Sequence, residues 1–408
     1  MPVIEAQHVY KVFGRRPERA IERLDQGVTR DELIGQGLVP AVIDATFDVE
    51  DSEIFVVMGL SGSGKSTLIR MVNGLLGPTA GEMIVSGQDI NRLNTAGLRQ
   101  VRREKVSMVF QHFALLPHRT VGENAAYGLS VRGMNRSDRE ERADQALAMV
   151  GLKGWGGSMP DELSGGMRQR VGLARALAAQ TDVLLMDEAF SALDPLIRRE
   201  MQDQLIELQH QLNKTILFIT HDLNEAMRLG DRIAMMRDGR VVQVGTAEQI
   251  LNDPANDYVA QFVQDVDWTR VLTAASVMEP PAAVLGSAQG PRAAHKLLRE
   301  HQMSSLMVVD RERRLAGVVQ ESDVVTALEQ GQETLQGLVH PAVTVRPDVP
   351  VADLFGAAAE SPAALAVVDG DRLVGVIPRV TLLSALGSVA RTSGDSGNGI
   401  GVTTEVAR

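Results

Sequence analysis

The sequence predicts an α/β protein in two parts: a larger domain built on a mostly parallel sheet, then a smaller α/β domain. Three observations predict it. Short apolar runs alternate with segments of helical periodicity between residues 54 and 220, the order that gives a parallel sheet covered by helices. The first of these runs ends in a glycine-rich loop, Gly59-Leu60-Ser61-Gly62-Ser63-Gly64-Lys65-Ser66, which passes directly into a helical stretch. Beyond residue 262 one apolar pattern occurs twice, with Gly317 and Gly375 at equivalent places 58 residues apart, so the second domain is a tandem of half-units.

Composition bounds the function. A chain of 408 residues has room for two or three domains of about 100–200 residues each. Aromatics make up 3% of it, so Leu, Val, Ile and the 17 Met must fill the cores that a 44% hydrophobic content can build. A net charge of -11 argues against a general binder of nucleic-acid backbone, and no nucleic-acid partner is expected. The absence of cysteine excludes disulfides and thiolate metal sites and fits a reducing compartment. Met1-Pro2-Val3-Ile4-Glu5 lacks the basic and apolar regions of a secretory signal. No stretch approaches the roughly 18 consecutive apolar residues of a spanning helix, so any transport role needs a separate membrane partner.

In chain order, residues 1–14 read as a strand, with Val3, Ile4, Val9 and Val12 ahead of a turn at Gly14. Residues 15–40 are polar and partly helical, the character of an insertion. Residues 54–58 form an apolar, β-branched strand into the glycine-rich loop, and residues 67–72 continue as helix. Residues 106–110 are a short strand, and 137–150 have helical spacing. Ser164 stands at an N-cap position ahead of residues 167–171. Residues 182–186 form a buried strand. After Pro195, Ile197, Met201, Leu205, Leu208 and Leu212 step by 4, 4, 3 and 4, one face of a helix, and residues 215–220 return as a strand. The basic run 99–105 reads as a solvated face. Each C-terminal half-unit ends in a helix, at 324–328 and at 382–386, and a disordered tail is expected from Arg391 onward.

The loop at 59–66 fits G-x-x-x-x-G-K-[ST], and its strand–loop–helix setting is the one a P-loop requires. Gly59, Gly62 and Gly64 let backbone N–H groups of the loop, with those of Ser61 and Ser63, approach phosphate oxygens. Lys65 supplies a cation to the β- and γ-phosphates, and the Ser66 hydroxyl can ligate Mg²⁺. The following helix adds about half a positive charge at its N-terminus. Asp187, at the end of an apolar strand, is placed to hold Mg²⁺ through its water shell. Glu188 beside it can orient and deprotonate an attacking water. Gln111, at a strand end, offers an amide oxygen to Mg²⁺ or to water, and the neutral ring of His221 could contact the γ-phosphate. His112 and His118 are given no role.

The order of P-loop, Gln111, Leu163-Ser164-Gly165-Gly166-Met167, Val183-Leu184-Leu185-Met186-Asp187-Glu188 and His221 resembles the ATP-binding-cassette (ABC) ATPases. The resemblance implies a P-loop ABC-type nucleotide-binding domain with a helical subdomain, ATP and Mg²⁺ as cofactors, and Thr67 within the nucleotide site. It also implies that Ser164, Gly165 and Gly166 close over the γ-phosphate of ATP bound to the other subunit of a head-to-tail homodimer. Ser191-Ala192-Leu193-Asp194 resembles the D-loop that links the two sites, and Phe13 occupies the position that stacks on adenine.

Within the family, Val12-Phe13-Gly14 followed by the 15–40 insertion resembles the ATPase subunits of glycine betaine/proline betaine importers. So do residues 58–67, 108–118 and 161–170, and Asp187 to Arg198, where Phe190 replaces the Thr of many importers. The duplicated end resembles a tandem pair of CBS modules, whose ribose-binding Asp corresponds to Asp323, with Thr381 at the matching place in the second copy. A ligand-sensing role and a purely structural one both stay open for that pair. The resemblance implies an ABC ATPase domain at 1–265 (helical subdomain about 112–165), CBS modules at 266–333 and 334–390, and a tail at 391–408. It further implies an integral membrane permease as partner, contacted along the segment from Gln111 through Asn124, an indirect substrate-binding protein, and a peripheral place on the cytoplasmic face of the cell membrane. Choline or carnitine import, a soluble ABC ATPase without a permease, and a CBS-type nucleotide sensor are the alternatives.

Overall fold

Five consecutive apolar residues, Ile54–Met58, are all buried, which requires a strand covered on both faces, as in a parallel sheet with helices on each side. In the computed structural model, which describes residues 2–111, 114–264 and 272–383, the chain divides into two units, Met1–Val263 and Gln264–Arg408. His112, Phe113, the end of the 382–386 helix and the tail from residue 391 lie outside the described residues.

The strands of the first unit are β1 (Ile4–Phe13), β2 (Val39–Val49), β3 (Ile54–Met58), β4 (Ala80–Val85), β5 (Gln88–Asp89), β6 (Val106–Val109), β7 (Val183–Asp187), β8 (Thr215–Thr220), β9 (Arg232–Arg237) and β10 (Arg240–Gly245). One sheet has the order β10-β9-β3-β8-β7-β6. It is parallel from β9 to β6, and only β10 runs antiparallel. An antiparallel sheet, β2-β1-β4-β5, faces it. Stacking of Phe47 on Phe55, with ring centroids 5.3 Å apart, joins the two sheets. The helix Lys65–Val72 packs Leu68, Ile69, Met71 and Val72 into the same core, all fully buried. β2, β4, β5, β9 and β10 are strands that the sequence reading leaves unassigned, although β2 alternates apolar and polar residues from Ile43 to Val49.

Residues 15–40 hold two short helices, Glu18–Asp25 and Arg30–Ile34, around a small core of Val12, Ala20, Leu24, Leu33 and Ile43. The insertion closes at its base, where Phe13 pairs with Val39. Gly14 is needed there: its φ is +131°, and a Cβ would lie 2.5 Å from the Gly37 carbonyl oxygen. Between β6 and β7 the helices Val121–Ala125, Tyr127–Val131, Arg136–Met149 and Gly165–Ala178 pack on one another. The helix Pro195–Leu212 starts with Asp194 as N-cap and Pro at its first turn and stops at Asn213 in the left-handed region, as start and stop signals require. Its core-facing stretch is Met201, Leu205 and Leu208, while Ile197 and Leu212 are only partly covered.

In the second unit, β11 (Val284–Gly286), β12 (Ser305–Val309) and β13 (Leu315–Gln320) form one three-stranded sheet, and β14 (Thr344–Val345), β15 (Leu365–Asp369) and β16 (Arg372–Ile377) another. Each has a parallel pair and then an antiparallel hairpin. The equivalent glycines fall opposite equivalent residues, Gly317 opposite Val308 and Gly375 opposite Val367. Met307, Val309, Val318, Ala366, Leu373 and Val376 form a core shared by both sheets. Among the described residues no helix is long and apolar enough to cross a membrane.

Phe55 is fully buried, stacks on Phe47 and lies under the Arg232 guanidinium at 5.4 Å. Phe55→Ala should therefore destabilise the first unit by about 3–5 kcal/mol, measured from the shift of its denaturant unfolding transition.

Candidate functional site

β3, β8, β7 and β6 lie side by side and parallel, so their C-terminal ends reach one edge of the sheet together. Met58 pairs with Thr220, Ile219 with Asp187 and Met186 with Val109. The next residues along each strand are Gly59, His221, Glu188 and, one further on, Gln111. The carboxyl edge of an open α/β sheet is where ligands bind in such folds.

The phosphate-type loop departs from the central strand. Gly59, Gly62 and Gly64 all have positive φ, and a Cβ on Gly59 or Gly64 would stand 2.2 Å from the carbonyl oxygen of Met236 or Ala41. Only glycine fits either place. Gly64 caps the helix Lys65–Val72, and Thr67 N donates to its carbonyl at 3.0 Å. Leu60 and Ser61 are exposed. The Ser63 hydroxyl is buried without a hydrogen-bond partner among the described residues, a polar atom that a phosphate oxygen would satisfy. Lys65 is 4% exposed, and its Nζ donates to Gly59 O at 2.7 Å and Leu60 O at 3.0 Å. Burial pulls its pKa down, against the pull of Glu188 and Asp187.

Ser66 Oγ donates to Asp187 Oδ1 at 3.2 Å. Burial raises the Asp187 carboxyl above its ordinary value, and the Ser66 bond opposes the rise. Glu188 has φ +46°, a left-handed conformation costing on the order of 1–3 kcal/mol outside glycine. It is held there by its N–H on Ile219 O at 2.9 Å and by the Ser191 hydroxyl on its carbonyl at 2.9 Å. Its carboxylate Oε2 accepts from Gln111 Nε2 at 3.2 Å and lies 3.1 Å from His221 Nδ1. The Gln111 amide oxygen is then the atom available to a cation or water. Phe190 is fully buried against Phe218, with centroids 5.5 Å apart.

Ser164 caps the helix Gly165–Ala178, its Oγ accepting from Met167 N at 3.3 Å. Gly166 faces Ile197, where a Cβ would meet Cγ2 at 2.7 Å. Among the described residues no hydrogen bond joins 164–166 to 59–67. Asp194 Oδ1 accepts from Leu196 N and Ile197 N as N-cap of its helix. Phe13 is 40% exposed, with Lys11 Nζ 5.3 Å from its ring centroid.

Sequence reasoning passed over Glu225, which is buried. It accepts from the Thr220 hydroxyl and from Gln202 Nε2 at 3.1 Å, and Thr220 Oγ1 accepts from Asp222 N at 3.0 Å. This network pins the backbone on both sides of His221. Also passed over was Gly239, whose N–H donates to Ser63 O at 3.1 Å. A backbone donor leaves no sequence signal, whereas Glu225 leaves a faint one, its place four residues after His221.

In the second unit, Asp323 Oδ2 lies 2.7 Å from His340 Nε2, and Thr381 donates to Glu279 Oε1 at 2.6 Å. His340 and Glu279 bridge to Val318 and Val376, the same position 58 residues apart, so these two pairs are counterparts.

A family model described as ABC transporter matches residues 42–191, and the CBS domain model matches 274–330 and 338–388. The chain is 48% identical to the glycine betaine/proline betaine transport system ATP-binding protein ProV of Escherichia coli, over 94% of this chain and 97% of that protein. The chain belongs to the ABC transporter ATP-binding subunits of the glycine betaine importer family. It is also 47% identical to the glycine betaine/carnitine transport ATP-binding protein GbuA of Listeria monocytogenes, over 95% and 98% of the two chains. Among solved structures, the dimer of an ATP-binding cassette in a post-hydrolysis state, bound to ADP and Pi, is 30% identical. It matches with a TM-score of 0.51 over 60% of this chain and 98% of that one. This ABC subunit is accordingly an ATP-binding, ATP-hydrolysing enzyme.

Its donor set suits a hard cation. A hydroxyl, a carboxylate and an amide oxygen are the ligand types of Mg²⁺, which keeps waters and phosphate oxygens for its other positions. Among the described residues no three His, Asp or Glu side chains converge as a protein-only cage.

The raised Asp187 pKa has a stability consequence. The ionised carboxylate is disfavoured in the folded state, so stability falls as pH rises from the unfolded-state value through the folded one. Asp187→Asn removes that cost and should stabilise the unliganded full chain at pH 7. The gain should vanish near about pH 3, where both states hold the proton. Denaturant unfolding at the two pH values checks it, and a loss at pH 7 would contradict burial as the governing effect.

Proposed function

We propose that this ATPase energises uptake of an osmoprotectant, a quaternary amine such as glycine betaine or proline betaine, through a separate integral membrane permease. The observation that carries the reading is the shared sheet edge at which the glycine loop, Asp187, Glu188, Gln111 and His221 meet. The substrate class is supported by near-full-length likeness to subunits named for betaine transport.

In this reading residues 59–67 cradle the β- and γ-phosphates, with Lys65 as the cation, and Phe13 stacks on adenine. Ser66, Gln111 and Asp187 would hold Mg²⁺, which when bound offsets negative charge on the transferring phosphoryl group. Glu188, flanked by Gln111 and His221, orients a water and takes its proton, and His221 steadies the γ-phosphate. Ser164 and the N–H groups of Gly165 and Gly166 open a second helix start, suited to an anion. That start serves the γ-phosphate on a second copy, so two chains form a homodimer with two ATP molecules between them, and Asp194 holds the D-loop at that interface. The dimer sits on the cytoplasmic face of the membrane, meets the permease around Gln111 and residues 120–124, and depends on a substrate-binding protein for specificity.

Glu188→Gln should keep ATP binding but lower turnover by about 10²-fold or more, leaving a stable ATP-bound dimer in size-exclusion chromatography. Near-normal turnover would remove Glu188 from its role. Ser164→Arg should bind ATP as a monomer and fail to dimerise. The transport claim is tested by uptake of labelled glycine betaine at raised osmolarity in cells lacking this chain, complemented by wild type or by Glu188→Gln. Restoration by wild type alone supports the reading. Equal uptake in all three removes the betaine assignment, and choline and carnitine are then measured.

A further inference from the structure

A loop whose N–H groups converge on phosphate turns its carbonyls outward, and several of those take donors from neighbouring segments. Lys65 serves Gly59 O and Leu60 O, helix N–H groups serve Gly64 O, and Gly239 N serves Ser63 O. Gly62 O is served from the insertion: Arg30 Nη2 donates to it at 3.4 Å. The same guanidinium donates through Nε to Pro40 O at 3.2 Å and through Nη1 to Asp238 Oδ1 at 3.4 Å. One side chain thus ties together the return of the insertion, the β9–β10 turn and the phosphate loop. The loop is gripped by the same neighbourhood elsewhere, since Ala41 O packs against Gly64 and Ile43 N donates to Gly239 O at 2.8 Å.

Arg30 is itself placed firmly. It is the first residue of its helix, and Thr29 and Glu32 form a reciprocal capping box around it. Its side chain is 25% exposed. The guanidinium offers donors in several fixed directions, which a single ammonium cannot reproduce.

We propose that Arg30 is a positioning residue for ATP: the insertion at 15–40 uses it to hold the phosphate loop in its anion-binding shape. The inference rests on residues 59–66 being that loop. Loss of Arg30 frees the Gly62 carbonyl and weakens nucleotide binding, while Glu188, His221 and Gln111 stay as they are.

The test is equilibrium binding of the fluorescent analogue mant-ATP to the full chain, with ATPase kinetics and Tm on the same preparations. Arg30→Ala should weaken mant-ATP binding and raise KM by about three- to tenfold, with kcat at saturating ATP within about twofold of wild type. Arg23→Ala, which removes the Arg23–Gln36 bond inside the insertion, should leave affinity unchanged. Lys65→Ala should bind far more weakly, and if it binds like wild type the loop reading itself fails. If Lys65→Ala loses binding but Arg30→Ala does not, only the role of Arg30 is overturned. Equal losses in Arg30→Ala and Arg23→Ala overturn it as well, as general loosening. Should Arg30→Ala not fold, Arg30→Lys is read the same way, with weakened binding expected and unchanged binding overturning the proposal.

Discussion

Everything at the candidate ATP site depends on the parallel pairing of β3 with β8, of β8 with β7 and of β7 with β6. A shift of one residue between β3 and β8 would move His221 away from the level of Gly59 and turn alternate side chains to the other face. All five positions of β3, all five of β7 and all six of β8 are enclosed, so these strand ends are held rigidly by packing on both faces. The glycine loop can be partly exposed because its two ends are anchored in that core.

The same core surrounds the polar groups beneath the site. Lys65, Asp187 and Glu225 are buried charges or acids, tied by hydrogen bonds to backbone carbonyls, to the Ser66 hydroxyl, and to the Thr220 hydroxyl and Gln202 amide respectively. A charge is seldom fully buried without such partners. Their cost in stability is tolerable because the surrounding apolar core is extensive. Glu225 also connects the helix that follows Asp194, through Gln202, to the strand end that carries His221, so two loops at the same edge share one rigid support.

Much of this was legible in the sequence. The strand–loop–helix around Lys65, the strand ending in Asp187, the cap at Ser164 and the helix after Pro195 each carry a local signal, and their order named the family. Some of what escaped had a physical reason. β2 does alternate apolar and polar residues from Ile43 to Val49, a signal that was passed over, whereas the four buried apolar residues of β9 are too short a run for periodicity to tell strand from helix. The left-handed backbone of Glu188, the Gly239 donor and the reach of Arg30 to Gly62 arise from packing between segments far apart in sequence, and no periodicity records them. Glu225 reads as an ordinary exposed acid on a short helix until Thr220 and Gln202 are seen around it.

The duplicated unit carries a further consequence. The core of its second half, around Val351, Leu354, Leu365 and Ile377, also takes in Ala274, with Leu272, Val277 and Met278 packed against it. Those residues lie at the start of the first half, ahead of all three strands of its sheet. The halves are further laced by reciprocal bonds, Leu315 N to Asp371 O and Leu373 N to Arg313 O. The repeat boundary in sequence is thus no boundary in space: a chain severed between the repeats would leave the later one without a packing segment that its own core encloses.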